Sequence, residues 1–318
     1  MTTSGVYAFT VNRDQVIRQA MLNIRKLDPD ESPTPRETTD CTFVLNMMVK
    51  QWMAKADFSP GLKIWTRRRG HLFLHNNQYQ YTVGPGATGW TLTYVSPTTT
   101  VASNSGTAAI TVSSPTGIAT NYFIGIETSA GDLFWTTVLS VVGSVVNLNA
   151  NLPANVSIGA QVFAYQTVAT QPVVIETAVL RDIFNQDIPL RYLTIQDYDM
   201  LPSKTDPTNI SDPGAILYEF GLTNSNLFID VAGAQDVTKH IVLTYMEAIQ
   251  DFVNPTDTPE YPQEWFLALC WGLAKEITPM FHANWDMLMQ NNFERSLITA
   301  QRKDSERRTE FFQPGNDE

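Results

Sequence analysis

Between Arg69 and Arg181 the chain contains not one lysine or arginine, and only three acids, Glu127, Asp132 and Glu176. A surface that grips nucleic acid neutralises phosphates with clustered Lys and Arg, so this stretch is no such surface. The whole chain, with 21 basic against 32 acidic residues and a net charge of −11, is no better suited to wrapping DNA. An acidic protein does suit one task beside DNA, which is to let it slide past. Cysteine is also scarce. Cys41 and Cys270 each sit in an apolar stretch of helical pattern and read as buried thiols of a protein assembled in a reducing compartment. Long apolar runs are lacking too: Trp265–Ala274 is too short to span a bilayer and stops at Lys275. The N-terminus has no basic segment leading into an apolar one, so no secretory signal is expected.

What remains is a chain of 318 residues, 43% hydrophobic and 17% charged, long enough for about two globular domains. Ordinary charged, helical sequence flanks the charge-poor stretch. A first helix is expected over about 13–27, capped by Asn12, with Val16, Ile17, Ala20, Met21 and Ile24 on one face. Pro33 and Pro35 keep the next connector extended, and a second helix follows over about 39–56. Strands at 72–75 and 79–83, joined by Asn76-Asn77, read as a hairpin. Short β-branched or alternating runs at 108–112, 122–126, 133–142, 145–148 and 161–165 read as a small barrel or sandwich. Mixed strand and loop segments follow, and helices over 262–277 and about 283–308 close the chain. The fold class expected is therefore α+β. A helix bundle with β-hairpins, 1–90 plus 172–308, carries an inserted all-β module, 91–171, and ends in an extended tail, 309–318.

Reactive chemistry is hard to find. Gly84-Pro85-Gly86-Ala87-Thr88-Gly89 matches a dinucleotide fingerprint, but a strand pattern follows it where a helix is needed, and no acid lies about twenty residues on. His71 and His75 alternate along a strand, which sets them about 13 Å apart, too far to share one ion. His240 and His282 stand alone in the sequence. No nucleophile elbow is present, and the acid pairs Asp197/Asp199 and Asp257/Glu260 read as solvated loop carboxylates. No catalytic residue, metal ligand or cofactor is expected, and the chain reads as a non-enzyme. Arg67, Arg68 and Arg69 form the one basic run before the insert and could contact an acidic partner.

Several stretches, in order, resemble the head-to-tail adaptor family of tailed bacteriophages, best known from short-tailed ones. They are the N-terminal helix, Asn46-Met47-Met48-Val49-Lys50-Gln51-Trp52, Leu72-Phe73-Leu74, Gln78-Tyr79-Gln80-Tyr81-Thr82-Val83-Gly84, Pro189-Leu190-Arg191-Tyr192-Leu193, Asp197-Tyr198, Phe252 and Pro262-Gln263-Glu264-Trp265. The likeness covers 5–90 and 172–314. It implies a structural virion protein at the head-tail junction, assembled in the host cytoplasm as a dodecameric ring. That ring sits beneath the portal protein, touches tail nozzle or tail tube proteins below, and passes double-stranded DNA without reading it. It also implies that Arg307, Arg308, Phe311, Phe312, Gln313 and Pro314 reach the portal. The alternatives are a tail-associated carbohydrate or receptor binder, signalled by an exposed platform of Tyr122, Phe134 and Trp135, and a peptidoglycan hydrolase.

Overall fold

The computed structural model describes residues 9–54 and 64–303. Helices α1 (Arg13–Asn23) and α2 (Pro35–Met53) come first, and a short turn of 3-10 helix, Ile64–Thr66, leads into β1 (Arg67–Phe73), β2 (Gln80–Val83) and β3 (Trp90–Thr91). Six strands follow: β4 (Thr99–Val101), β5 (Ala109–Val112), β6 (Phe123–Glu127), β7 (Leu133–Val142), β8 (Val145–Leu148) and β9 (Val162–Tyr165). Then come β10 (Pro172–Arg181), β11 (Asp187–Pro189), β12 (Arg191–Tyr192), a short α3 (Ile195–Asp199), β13 (Ala215–Glu219), β14 (Ser225–Ile229) and β15 (His240–Glu247). A second 3-10 turn, Gln263–Trp265, opens α4 (Phe266–Ile277), and α5 (Met287–Lys303) ends the described chain.

These elements fall into two compact units, one of residues 9–54, 64–66 and 248–303, the other of residues 67–247. In the first, both ends of the chain fold together. Val16, Ile17, Met21, Leu45, Met48, Leu269 and Leu273 build one apolar core from α1, α2 and α4. The helices begin where their caps dictate: Asn12 and Gln15 form a capping box on α1, and Thr34 and Glu37 form one on α2. Pro35 belongs to the first turn of α2, where its missing N–H costs nothing, and not to an extended connector.

The second unit corrects the expected fold. A helix bundle with β-hairpins does not form; the chain is mostly β-sheet. Residues 67–91 and 172–247 build a five-stranded sheet, β11-β10-β15-β1-β3, and a four-stranded sheet, β12-β13-β14-β2. The physical reason lies in β10 and β15. Their β-branched runs Val173-Val174-Ile175 and Ile241-Val242 suit a pleated, two-faced surface better than a helix. The expected hairpin at Asn76-Asn77 is not one either: β1 pairs with β15 and β3, while β2 joins the other sheet beside β14. Asn77 still takes the left-handed conformation, φ 57°, and steers the chain between sheets. Leu72, Tyr81, Val83, Ile216, Leu227, Ile241 and Leu243 fill a core common to both sheets.

The charge-poor stretch forms a third sheet, β4-β5-β8-β7-β6-β9, around its own core of Ile110, Ile124, Ile126, Val138, Val146 and Val162. Val95 bridges to Ala164 on β9 and Thr98 to Gln161 just before it, while Thr99 pairs with Val112 on β5, so the sheet curls until its edges meet. Gly117, Gly131 and Gly143, all with positive φ, make the turns. Leu133 and Phe163 of this sheet also belong to the core of the other two.

Candidate functional site

Of the stretches that carry the adaptor likeness, the N-terminal helix, 46–52, Phe252 and 262–265 meet in the helical unit, while those at 72–74, 78–84, 189–193 and 197–198 belong to the β unit. Asn46 and Phe252, 206 positions apart, are clamped both ways: Asn46 Nδ2 donates to the Phe252 carbonyl at 3.0 Å, and the Phe252 N–H donates to Asn46 Oδ1 at 2.9 Å. One α2 side chain thus satisfies both backbone groups of the buried residue Phe252. Beside it Trp52 meets Trp265 at 6.2 Å between ring centroids, and Trp65 meets Trp265 at 5.2 Å and Tyr261 at 5.6 Å. Lys50 donates to the Ile249 carbonyl and pairs with Asp251 at 2.8 Å. Asn46→Ala removes both halves of the clamp, and the expected loss is about 2 kcal/mol of unfolding free energy, read by urea denaturation.

Several large apolar side chains of this unit are exposed. On α2, Phe43 is 66% exposed and Met47 50%, one turn apart on the same face; on α5, Met287, Leu288 and Ile298 are exposed.

Of the basic run, two arginines serve the sheet itself. Arg67 pairs with Glu176 at 2.5 Å, and Arg68 with Glu247 at 2.6 Å. Arg69 is exposed on β1, across from Thr244. The six residues Arg307, Arg308, Phe311, Phe312, Gln313 and Pro314 lie outside the described residues.

Strand register brings together a cluster that the sequence does not show. His71 on β1 and His240 on β15 lie on one face, and His240 Nε2 is 3.1 Å from His71 Nδ1 and 3.4 Å from the Tyr94 hydroxyl. Burial, reinforced at both rings by nearby Arg181, pushes His71 down to about 4 and His240 to about 3. Both rings are neutral at pH 7, so one nitrogen donates to the other. Next to them Arg181 holds Asp187 through two bonds of 2.6 and 2.7 Å. His75 turns elsewhere and meets Asp132 at 3.1 Å. The described residues contain no group of three or more His, Cys, Asp or Glu able to hold a metal.

The remaining sequence candidates take structural posts. Asp197 caps α3, Asp199 pairs with Lys204, Asp257 accepts the N–H groups of Val253 and Asn254, and Glu260 accepts that of Gln250. Gly84–Gly89 links β2 to β3, with no helix after it. Burial pushes both thiols, Cys41 and Cys270, up to about 12, far from nucleophilic. On the insert, Phe134 packs on the curled sheet's core and Trp135 on the core of the other two sheets, so Tyr122, Phe134 and Trp135 form no common platform.

No family model, curated protein or solved structure matches the chain. No described helix is long and apolar enough to cross a membrane.

Proposed function

We propose that this chain is a structural subunit of a tailed-phage virion, a head-to-tail adaptor that joins copies of itself into a ring beneath the portal and conducts DNA to the tail. The observation that carries it is the clamp of Asn46 on Phe252 beside Trp52 and Trp265, since three of the stretches that resemble the adaptor family, distant in sequence, close on one another in the helical unit. Two further features support it. A ring needs two different surfaces per subunit, because each copy contacts its neighbours head to tail, and α2 and α5 both leave apolar side chains exposed. A ring also multiplies the net charge of −11, and an acidic bore repels phosphate over about 8 Å at physiological salt, leaving DNA free to move. The packing of the His71–His240 pair, and the carboxylates that cap turns or pair with cations, fit a structural role for the β unit.

The experiment is to mix the purified protein with the portal of the same phage and image the product. A ring of this subunit seated on the portal is expected, and truncation after Glu310 is expected to weaken its attachment at least about tenfold, as loss of an aromatic anchor does. Absence of any portal complex with the full-length chain would sink the reading.

A further inference from the structure

The helical unit has an apolar groove of about 520 Å³ between α1 and the start of α4. Its floor is Val16, Phe266 and Cys270, and its walls are Phe9, Leu267 and Gln263. Phe9 stands at one end with its ring 6.1 Å from that of Phe266. Leu267 is 59% exposed although its neighbours on α4 are buried, so this strip lacks a cover.

The chain itself supplies a cover of the right chemistry in the right place. α4 and α5 pack against each other as an antiparallel pair, with Lys275 Nζ over the Phe293 ring at 4.9 Å. Following that register back, the end of α5 at Ala300–Lys303 comes beside Trp265–Ala268, and α5 does touch the 3-10 turn Gln263–Trp265. The described chain therefore ends next to the groove. Fifteen residues follow Lys303, and among them the apolar ones are Phe311, Phe312 and Pro314. Phe311 is eight positions beyond Lys303, a reach of about 27 Å. The faces of α4 that meet α5 and line the groove are about a third of a turn apart, roughly 12 Å around a helix of ordinary diameter. Leu267 stands between those faces, on the path.

We propose that the groove between α1 and α4 is a docking site for the Phe311-Phe312 segment of the same chain, so that the unassembled subunit carries its own tail latched. The proposal holds whatever the tail binds in the assembled state. It adds one consequence to the adaptor reading, that a partner must first compete the tail out of its groove.

Cys270 on the groove floor is the reporter: it is 7% exposed, and the only other thiol, Cys41, is fully buried and serves as the internal control. Alkylation by N-ethylmaleimide is followed at each cysteine by peptide mass spectrometry. The full-length chain is compared with a truncation after Glu310 and with the double variant Phe311→Ser, Phe312→Ser. Cys270 is expected to react at least roughly fivefold faster in both, with Cys41 unchanged, and an added peptide of residues 304–318 is expected to restore protection. Unchanged reactivity in both variants overturns the proposal. So does protection lost instead on deleting residues 1–8, or protection that rises with protein concentration and so comes from a second copy. None of these readouts uses a portal, so failure here leaves the adaptor reading standing, and failure of portal binding leaves the latch standing.

Discussion

Replacing Gly70 by alanine is expected to destabilise the β unit by about 3 kcal/mol, near the top of the range for overpacking a core with one methyl group. Gly70 has ordinary strand geometry, so the reason is space. An added Cβ would stand 2.1 Å from Cη2 of Trp90 and under 2.8 Å from two more atoms of the ring. The ring cannot swing aside. Trp90 is fully buried, its indole N–H donates to the Thr170 carbonyl at 3.0 Å, and it packs against Tyr245 at 5.5 Å. Strand β1 cannot retreat either, since it pairs with β15 along its whole length. Calorimetry is expected to show a melting temperature about 6–12 °C lower for a unit of this size. Adding Trp90→Phe to the alanine variant is expected to recover part of the loss, because the two sites are directly coupled. A melting temperature for Gly70→Ala within a degree of the parent would show that the sheet accommodates the methyl group, against this account.

The same device appears twice more. Trp135 lies over Gly125 on the neighbouring strand β6, and Trp52 lies over Gly272 where α2 crosses α4. Each glycine is where a large ring lies flat on backbone, and each partner is far away in sequence or on another element. That explains what could be read in the sequence and what could not. Local signals were legible. The curled sheet's strands at 133–142 and 145–148 and the turn at Gly143 follow from β-branched alternation broken by glycine. So did α1, whose apolar spacing and Asn12 cap are contained in one short stretch of chain. Pairing across distance was not legible. The Asn76-Asn77 turn chemistry was read correctly as a turn, but nothing local says that β1 and β2 go to different sheets.

The candidate site divides the same way. Asn46, Trp52, Phe252 and Trp265 were picked out individually by their resemblance to adaptor stretches, and only folding shows that they touch. Arg67 and Arg68 looked like a partner contact because their acids, Glu176 and Glu247, are more than a hundred positions away. His240 looked solitary for the same reason. Its neighbour His71 is 169 positions distant, and only the register of β1 against β15 brings the two together. Alternating residues on paired strands share a face, so a long-range register, once known, would have found this pair.

That pair leads to the second large effect, on stability against pH. The folded chain holds His71 near 4 and His240 near 3, whereas in the unfolded chain both titrate at the ordinary value of about 6.5. The depressed value means that the fold favours the neutral ring. Above about pH 6.5 both states carry neutral imidazoles and the pair costs nothing. As pH falls from about 6.5 towards 4, the unfolded chain takes up protons that the folded chain refuses, and stability drops throughout that window. The groups around the pair sharpen the effect. Arg181 on β10 and Arg69 on β1 both oppose a charge on His71, while Asp187 on β11 favours one on His240 but is already held by Arg181. For His71 alone the loss by pH 4 is on the order of 2–3 kcal/mol, and the second ring, coupled to the first, adds less than its own shift suggests. Acids contribute in a lower window. The carboxyls of Asp132 and Asp187 are held below the usual range, so their contribution is lost only as pH falls below about 4. The measurement is urea denaturation of the full-length chain at pH 7.5, 6, 5 and 4.5, followed at the tryptophans. The parent is expected to lose stability steadily across these points. The double variant His71→Phe, His240→Leu replaces the polar pair with packed apolar groups and is expected to lose little between pH 7.5 and 4.5, whatever its stability at neutral pH. Parallel slopes in the two proteins would assign the acid sensitivity to other groups and remove the histidine pair from the account.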